Sequence, residues 1–304
     1  MRSEGGCMKR IFALMLIAGF VAAPVVSAAT YGLLIEKPSA IYKAPANGVK
    51  GVLGTDILEL NMQGKSANAK PHCDKMKADG CKVIVAIGKK AAKGAIKAAT
   101  GLPIVYAMVM DPAPSGIKGA NIGGVSLNVP MVRQFEAFKS TVPALKKVGL
   151  VYSSDLNAAL VSEMKSAAGK TGLTLVEKKV ASDADVPNAI REMQGQIDGL
   201  YLPPDRTVAK HDAFQFIALF TFENNLPFMA PTDRFVKKGA LIALMIDFEE
   251  VGKQAAKMAQ KVAGGSSPSA EPPEVTILVL NQKTASTIGI NIPPSLLQGS
   301  KIIK

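Results

Sequence analysis

The sequence predicts an α/β protein built on parallel sheets, and three observations carry that prediction. Short, continuous apolar runs such as Lys82–Ile87 (KVIVAI) and Leu241–Ile246 recur along the chain, as expected of strands buried on both faces. Helical patterns separate these runs, which is the signature of repeated βα units. At 304 residues the chain exceeds the usual single-domain size, so two domains are expected. Periodicity alone describes one large doubly wound sheet equally well.

In chain order, Tyr31–Ile35 and Ile57–Leu60 read as short strands, with a weakly patterned stretch at Pro38–Thr55 between them. Strand Lys82–Ile87 leads through Gly88 into helix Lys90–Ala99, followed by strands Leu102–Met110 and Ile122–Leu127. Pro130 suits the first turn of a helix running to about Lys139, since its missing N–H is not needed there. The order then restarts with strand Val148–Tyr152 and helix Asn157–Lys170, closed by Gly172. Strand Leu173–Val180, helix Val186–Met193, strand Leu200–Leu202 and helix Val208–Asn224 follow. Strands Phe228–Ala230 and Leu241–Ile246 precede helix Glu249–Val262, which Gly264-Gly265 ends. Ser266–Pro273 reads as a linker and Val275–Leu280 as a last strand before a Pro-containing tail.

The N-terminus reads as a cleavable signal peptide over residues 1–28, with either Met1 or Met8 as the start. Lys9 and Arg10 precede the apolar stretch Ile11–Val26, and Val26-Ser27-Ala28 supplies small residues for cleavage. Ala29, not Cys, directly follows Ala28, so export to the periplasm without a lipid anchor is expected. The mature chain keeps Cys73 and Cys81, an even pair that an oxidising compartment would bridge as a disulfide. The formal charge of +12 is carried by lysines scattered over helical segments. That pattern describes a solvated basic surface and not a nucleic-acid footprint.

Five apolar runs end at a carboxylate: VYAMVMD at Asp111, VGLVYSSD at Asp155, LYLPPD at Asp205, FMAPTD at Asp233 and LIALMID at Asp247. Ligand crevices in open α/β sheets lie beyond the carboxyl ends of the strands, so these residues outline a binding cleft. The competing role is helix capping, in which a carboxylate accepts from the first turn. Other chemistries lack their motifs. Gly169-Lys170-Thr171 closes a helix instead of opening one, and Met164 stands where a phosphate loop needs Gly. Gly123-Gly124-Val125-Ser126 lacks nucleophile-elbow spacing. His72 and His211 are the two histidines, which is poor material for a Ser-His-Asp site, and no metal pattern or cofactor fingerprint is present.

The segments VIVAIG (83–88), PIVYAMVMDP (103–112), the VP pair at 129–130, VGLVYSSDLNAA (148–159), DGLYLPPDRTV (198–208), KKGALIALMID (237–247), EVGKQAAKMA (250–259) and ILVLNQKTASTIGINIPPSLL (277–297) stand in register over most of the mature chain. Together they resemble the ABC-transporter substrate-binding proteins of the type I periplasmic-binding class. In particular they resemble the family tied to uptake of amino acids, including aromatic ones. The resemblance implies two Rossmann-like lobes with parallel sheets joined by three crossovers. Lobe 1 would be 29–128 plus 249–272, and lobe 2 would be 129–248 plus 273–304.

It also implies a cleft ligand, with Asp111, Asp205 or Asp233 receiving its ammonium and Ser154, Asn157 and Thr207 around its carboxylate. Asn128 and Asp247, at the ends of lobe strands, complete the candidate set. Lys89 stands where the family commonly has a small hydroxyl residue, and Arg206 where it often has Asn. Such cations would favour a ligand bearing carboxylate or phosphonate. With Trp absent, the candidate stacking residues are Tyr106, Tyr152 and Phe235.

The function expected from this reading is capture of a small polar ligand, an amino acid or related carboxylate, by a monomer that delivers it to a membrane permease. Neither cofactor nor nucleic acid takes part. Two alternatives compete: a ligand-sensing partner of a membrane receptor, and an exported hydrolase using paired aspartates.

Overall fold

The computed structural model describes residues 29–156 and 158–304. Its first strands and helices are β1 (Tyr31–Ile35), α1 (Ala40–Leu53), β2 (Ile57–Asn61), α2 (Ala69–Ala78), β3 (Val83–Ile87), α3 (Lys89–Ala98), β4 (Ile104–Val109) and β5 (Ile122–Ser126). The chain then passes to α4 (Met131–Thr141), β6 (Lys147–Ser153), α5 (Ala158–Lys170), β7 (Thr174–Val180), α6 (Val186–Arg191), β8 (Gly199–Tyr201) and α7 (His211–Glu223). It continues through β9 (Phe228–Met229), α8 (Asp233–Val236), β10 (Ile242–Ile246), α9 (Phe248–Ala263) and β11 (Ala270–Glu271). Last come β12 (Thr276–Asn281), α10 (Gln282–Thr287), α11 (Pro294–Leu297) and β13 (Lys301–Ile303).

Two sheets result. The first has six strands in the order β11-β5-β4-β3-β1-β2, and the second has seven in the order β13-β12-β10-β9-β8-β6-β7. Every pairing is parallel except that of β10 with β12. The chain changes sheet at 127–130, at Asp247 and at 272–275, as the order of elements and the sheet membership require. Each sheet is covered by core on both faces. Leu33, Val85 and Val105 pack against α1 and α9, and Leu34, Ile84 and Tyr106 pack on the other face with α2 and α3. Such two-sided burial explains why β3 and β4 are apolar at every position.

Two departures from the sequence reading have clear causes. Pro38–Thr55 holds the helix α1 with Pro45 inside it. The glycine that weakened its pattern is a packing residue: a Cβ on Gly48 would lie 2.0 Å from the Glu249 carbonyl oxygen, and one on Gly252 would lie 2.0 Å from that of Pro45. Helices α1 and α9 thus cross at backbone contact, which a residue with a side chain would prevent. Helix α7 starts at His211 instead of Val208 because the Asp205 carboxylate holds the Thr207 and Val208 amides in a turn ahead of it.

Candidate functional site

In the first sheet the strand order reverses between β1 and β3, so the crevice lies beyond Ile35 and Ile87. Glu36 occupies it with 7% of its surface exposed. Its Oε2 accepts the Lys90 amide at 2.8 Å, at the start of α3. Gly88 makes the approach possible: its φ is +102°, and a Cβ there would lie 2.7 Å from Glu36 Oε2. The Tyr42 hydroxyl also meets Glu36. Burial, and then the Glu36 charge, raise its pKa. Lys89 is exposed beside this pair.

The end of β4 is shaped differently. Met108 and Asp111 take positive φ of 60° and 48°, and the pairing with β5 shifts register between Tyr106 and Val109. Asp111 and Asn128 form a clasp. The Asn128 amide donates to Asp111 Oδ1 at 2.5 Å, and the Asp111 backbone N–H donates to Asn128 Oδ1 at 3.2 Å. Between these residues the structure joins the end of β4 to the first passage between sheets.

The second sheet reverses order between β6 and β8, and again a buried carboxylate fills the crevice. Asp205 is 4% exposed. One oxygen accepts the Ser153 amide at 2.7 Å, and the other accepts those of Thr207 at 2.8 Å and Val208 at 3.4 Å. Ser154 is exposed at the tip of β6, and Thr207 is half-buried. Asn157 lies outside the described residues.

Other candidates are engaged locally. Asp233 Oδ2 meets Lys301 at 2.9 Å and Lys237 at 3.8 Å. Hydrogen bonding from Lys301, against a smaller opposing effect of burial, holds its carboxyl below the usual range. Asp247 caps α9, accepting from Glu249 at 3.0 Å and Glu250 at 3.2 Å. The capping role therefore describes Asp247 fully and Asp205 in part. Of the three aromatic candidates, Tyr106 is core, Phe235 tilts against Phe214, and the Tyr152 hydroxyl donates to Glu177.

The expected Cys73–Cys81 disulfide is corrected by the structure, in which both residues are buried free thiols. Cys73 faces the core from the middle of α2, and five further residues carry the helix on to Ala78 before the chain turns. The Cys81 amide then folds back to donate to the Met76 carbonyl at 3.0 Å. Burial pushes the Cys73 thiol up to about 11. Among the described residues no group of three or more His, Cys, Asp or Glu side chains could hold a metal ion.

Sequence reasoning passed over four residues. Glu36 ends β1 without belonging to the Asp-terminated runs, although a lone acid before Lys37 was a visible signal. Met110, directly after β4, is 60% exposed, and an apolar residue at a cleft edge reads in sequence as the end of a core strand. Arg133 donates to the carbonyls of Pro273 at 2.6 Å and Glu274 at 2.9 Å. Gln254 donates to the Pro272 carbonyl at 3.1 Å and accepts the Glu274 amide at 3.0 Å. These last two grip the 272–275 passage from opposite sheets, a relation no local pattern reveals. A cavity of about 280 Å³ lies elsewhere, between α7 and α10, and its lining is chiefly apolar.

The profile of the ABC transporter substrate binding protein family matches residues 34–303. A tyrosine-binding protein from Clostridioides difficile (strain R20291) is 28% identical over 274 residues, covering 84% of this chain and 79% of the relative. Among solved structures, the ligand-free, open form of a substrate binding protein with adhesive properties from Clostridium difficile superposes with a TM-score of 0.74. It is 26% identical, covering 90% of this chain and 98% of that one. An ABC domain in complex with L-Trp from Streptococcus pneumonia gives 0.53 at 27% identity, covering 91% and 100%. Among the described residues no helix is long and apolar enough to cross a membrane. With two mostly parallel sheets, a chain that changes sheet three times and a match across nearly its whole length, this chain belongs to the family of ABC transporter substrate-binding proteins.

Proposed function

We propose that the protein captures an amino acid between two lobes, 29–128 plus 249–272 and 129–248 plus 273–304, and delivers it to the permease of an importer. The observation that carries this reading is the pair of buried carboxylates, Glu36 and Asp205, one at the crevice of each sheet. Glu36 accepts one backbone N–H and Asp205 three, and the negative charge that each keeps at its strand end is a field that a ligand ammonium answers. Lys89, Ser154 and Thr207 stand at the same strand ends and would supply the counter-set for a carboxylate, joined by Asn157, which lies outside the described residues; Asp111 and Asn128 would shape the rim, while Asp233 and Asp247 are held by Lys301 and by the start of α9. The tyrosine-binding relative and the L-Trp complex support an amino acid as the ligand class. The higher TM-score against an open, ligand-free form than against a liganded one, at similar identity, supports an open conformation here.

In this reading the protein is a carrier and performs no chemistry on its ligand. It acts as a monomer, binds no nucleic acid, and works in the periplasm after removal of residues 1–28, which lie outside the described residues. The test is a thermal-shift screen of the twenty amino acids on refolded, ligand-stripped protein. A ligand bound only by the folded state raises the melting temperature, so one or a few amino acids should do so in proportion to concentration. No shift with any amino acid at millimolar concentration would remove this reading.

A further inference from the structure

Helix α3 (KKAAKGAIKA) has a sharply divided surface. Ala91, Ala92, Ala95 and Ala98 are buried in the core that it shares with α2, and its exposed positions, Lys89, Lys90, Lys93 and Lys97, are all lysine. These four span about 12 Å along the axis at about 1.5 Å per residue. The helix contains no acid, and among the described residues none of the four is in an ion pair. The other lysine-rich helices differ. In α2, Asp74 answers Lys70 and Asp79 answers Lys75, and in α9 Glu249 and Glu250 answer Lys253.

The lysines of α3 work against their own helix. Lys89 and Lys90 stand in its first turn, where the positive end of the dipole repels a cation. Lys89, Lys93 and Lys97 follow one another at the i,i+4 spacing, at which like charges destabilise. Glu36 accepts the backbone N–H of Lys90 there and forms no ion pair with either ammonium. An anionic array facing the helix would offset this repulsion. We propose that the α3 face docks on an anionic phospholipid surface. Lysine ammoniums are mobile point charges that suit a field of phosphates. No Arg, aromatic or large apolar side chain is exposed among them; such groups anchor protein–protein interfaces, from which lysine is depleted. For the carrier reading above, on which this consequence rests, docking keeps the protein beside the membrane that holds its permease. The docking itself does not depend on that reading.

The experiment is co-sedimentation of the processed protein, residues 29–304, with vesicles of phosphatidylcholine alone or with about one third phosphatidylglycerol. Wild type should bind the anionic vesicles and not the neutral ones, more weakly as salt is added. Lys93→Gln/Lys97→Gln should lower the partition coefficient about 25-fold, at about fivefold per lysine. Its melting temperature should equal or exceed that of wild type, because repulsion is relieved. Lys257→Gln/Lys261→Gln removes the same charge from exposed positions of α9, which packs on the opposite face of the first sheet. That variant should lose less than about threefold. Equal losses in the two variants would show that net charge alone attracts the vesicles, and would overturn the proposal. Binding to neutral vesicles, or none to anionic ones at low salt, would overturn it too. So would tighter binding to polyglutamate than to anionic vesicles, which would assign the face to an acidic protein. Each of these results leaves amino-acid capture standing, since the thermal-shift screen tests that separately.

Discussion

Asp205 Oδ2 accepts the backbone N–H of Ser153 at 2.7 Å across the point where the second sheet reverses its strand order. One carboxylate therefore ties the tip of β6 to the loop after β8, while its other oxygen holds the Thr207 and Val208 amides. A group so engaged positions the backbone at this strand end.

Replacing Asp205 with Ala strands three backbone donors in a buried setting. Charge-assisted hydrogen bonds and unsatisfied buried donors each count for about 1–3 kcal/mol, so the variant should lose about 2–4 kcal/mol of stability by urea denaturation. A pure ligand contact would instead lose binding with stability intact. A change below about 1 kcal/mol would show that the backbone contacts contribute little.

The two cysteines should both be free. Alkylating the unfolded, non-reduced protein should add two adducts, and mass spectrometry counts them directly. In the native state the reaction should be slow, because both side chains are buried and burial raises the pKa of each thiol, leaving little thiolate at neutral pH. Recovery of a single unmodified, bridged species after unfolding would show that the two cysteines form a disulfide after all.

Strands such as β3 and β4 were legible because burial on both faces leaves no alternation to obscure them. Helix α1 was not, because Pro45 and Gly48 carry turn signals locally and are explained by contact with α9, far along the chain. The strand-end carboxylates were legible as residues and not as roles. Residue type shows that Asp205, Asp233 and Asp247 stop strands, yet whether their oxygens face a ligand, Lys301 or an amide depends on partners distant in sequence. Glu36 illustrates the converse. It works as the first-sheet counterpart of Asp205 only because Gly88, from another strand, clears room for it.

The Asp233–Lys301 pair sets a pH dependence of known sign. The folded-state pKa of Asp233 is depressed, chiefly by the Lys301 hydrogen bond. Its contribution is thus fully present above the unfolded value near 4, and it is lost as pH falls through the lower folded value. Lys301→Ala should lower stability slightly at pH 7, by up to about 1 kcal/mol for a partly exposed pair. The difference from wild type should shrink as pH falls from the unfolded value through the depressed folded one. Denaturation curves of both proteins at pH 7 and at about pH 2.5 measure it, and a gap of undiminished size at the lower pH would exclude the ion pair as its source.

Arg133 and Gln254 hold one passage between sheets from both sides. Arg133 on α4 packs with the second sheet and grips the carbonyls of Pro273 and Glu274, while Gln254 on α9 packs with the first and brackets Pro272 and Glu274. Pro272 and Pro273 fix two φ angles between these grips, so rotation of one lobe against the other must pass through few free torsions. A defined closure on ligand is therefore expected. Small-angle scattering should show a smaller radius of gyration at saturating amino acid than without it. Arg133→Ala frees one side of the passage and should widen the range of ligand-free arrangements. Its ligand-free radius should be larger, and its affinity lower by about two- to fivefold because the binding-competent fraction falls, with the order of preferred ligands unchanged. A wild-type radius that does not move at saturation would mean that the lobes do not close, and the grip of Arg133 and Gln254 would then be structural alone.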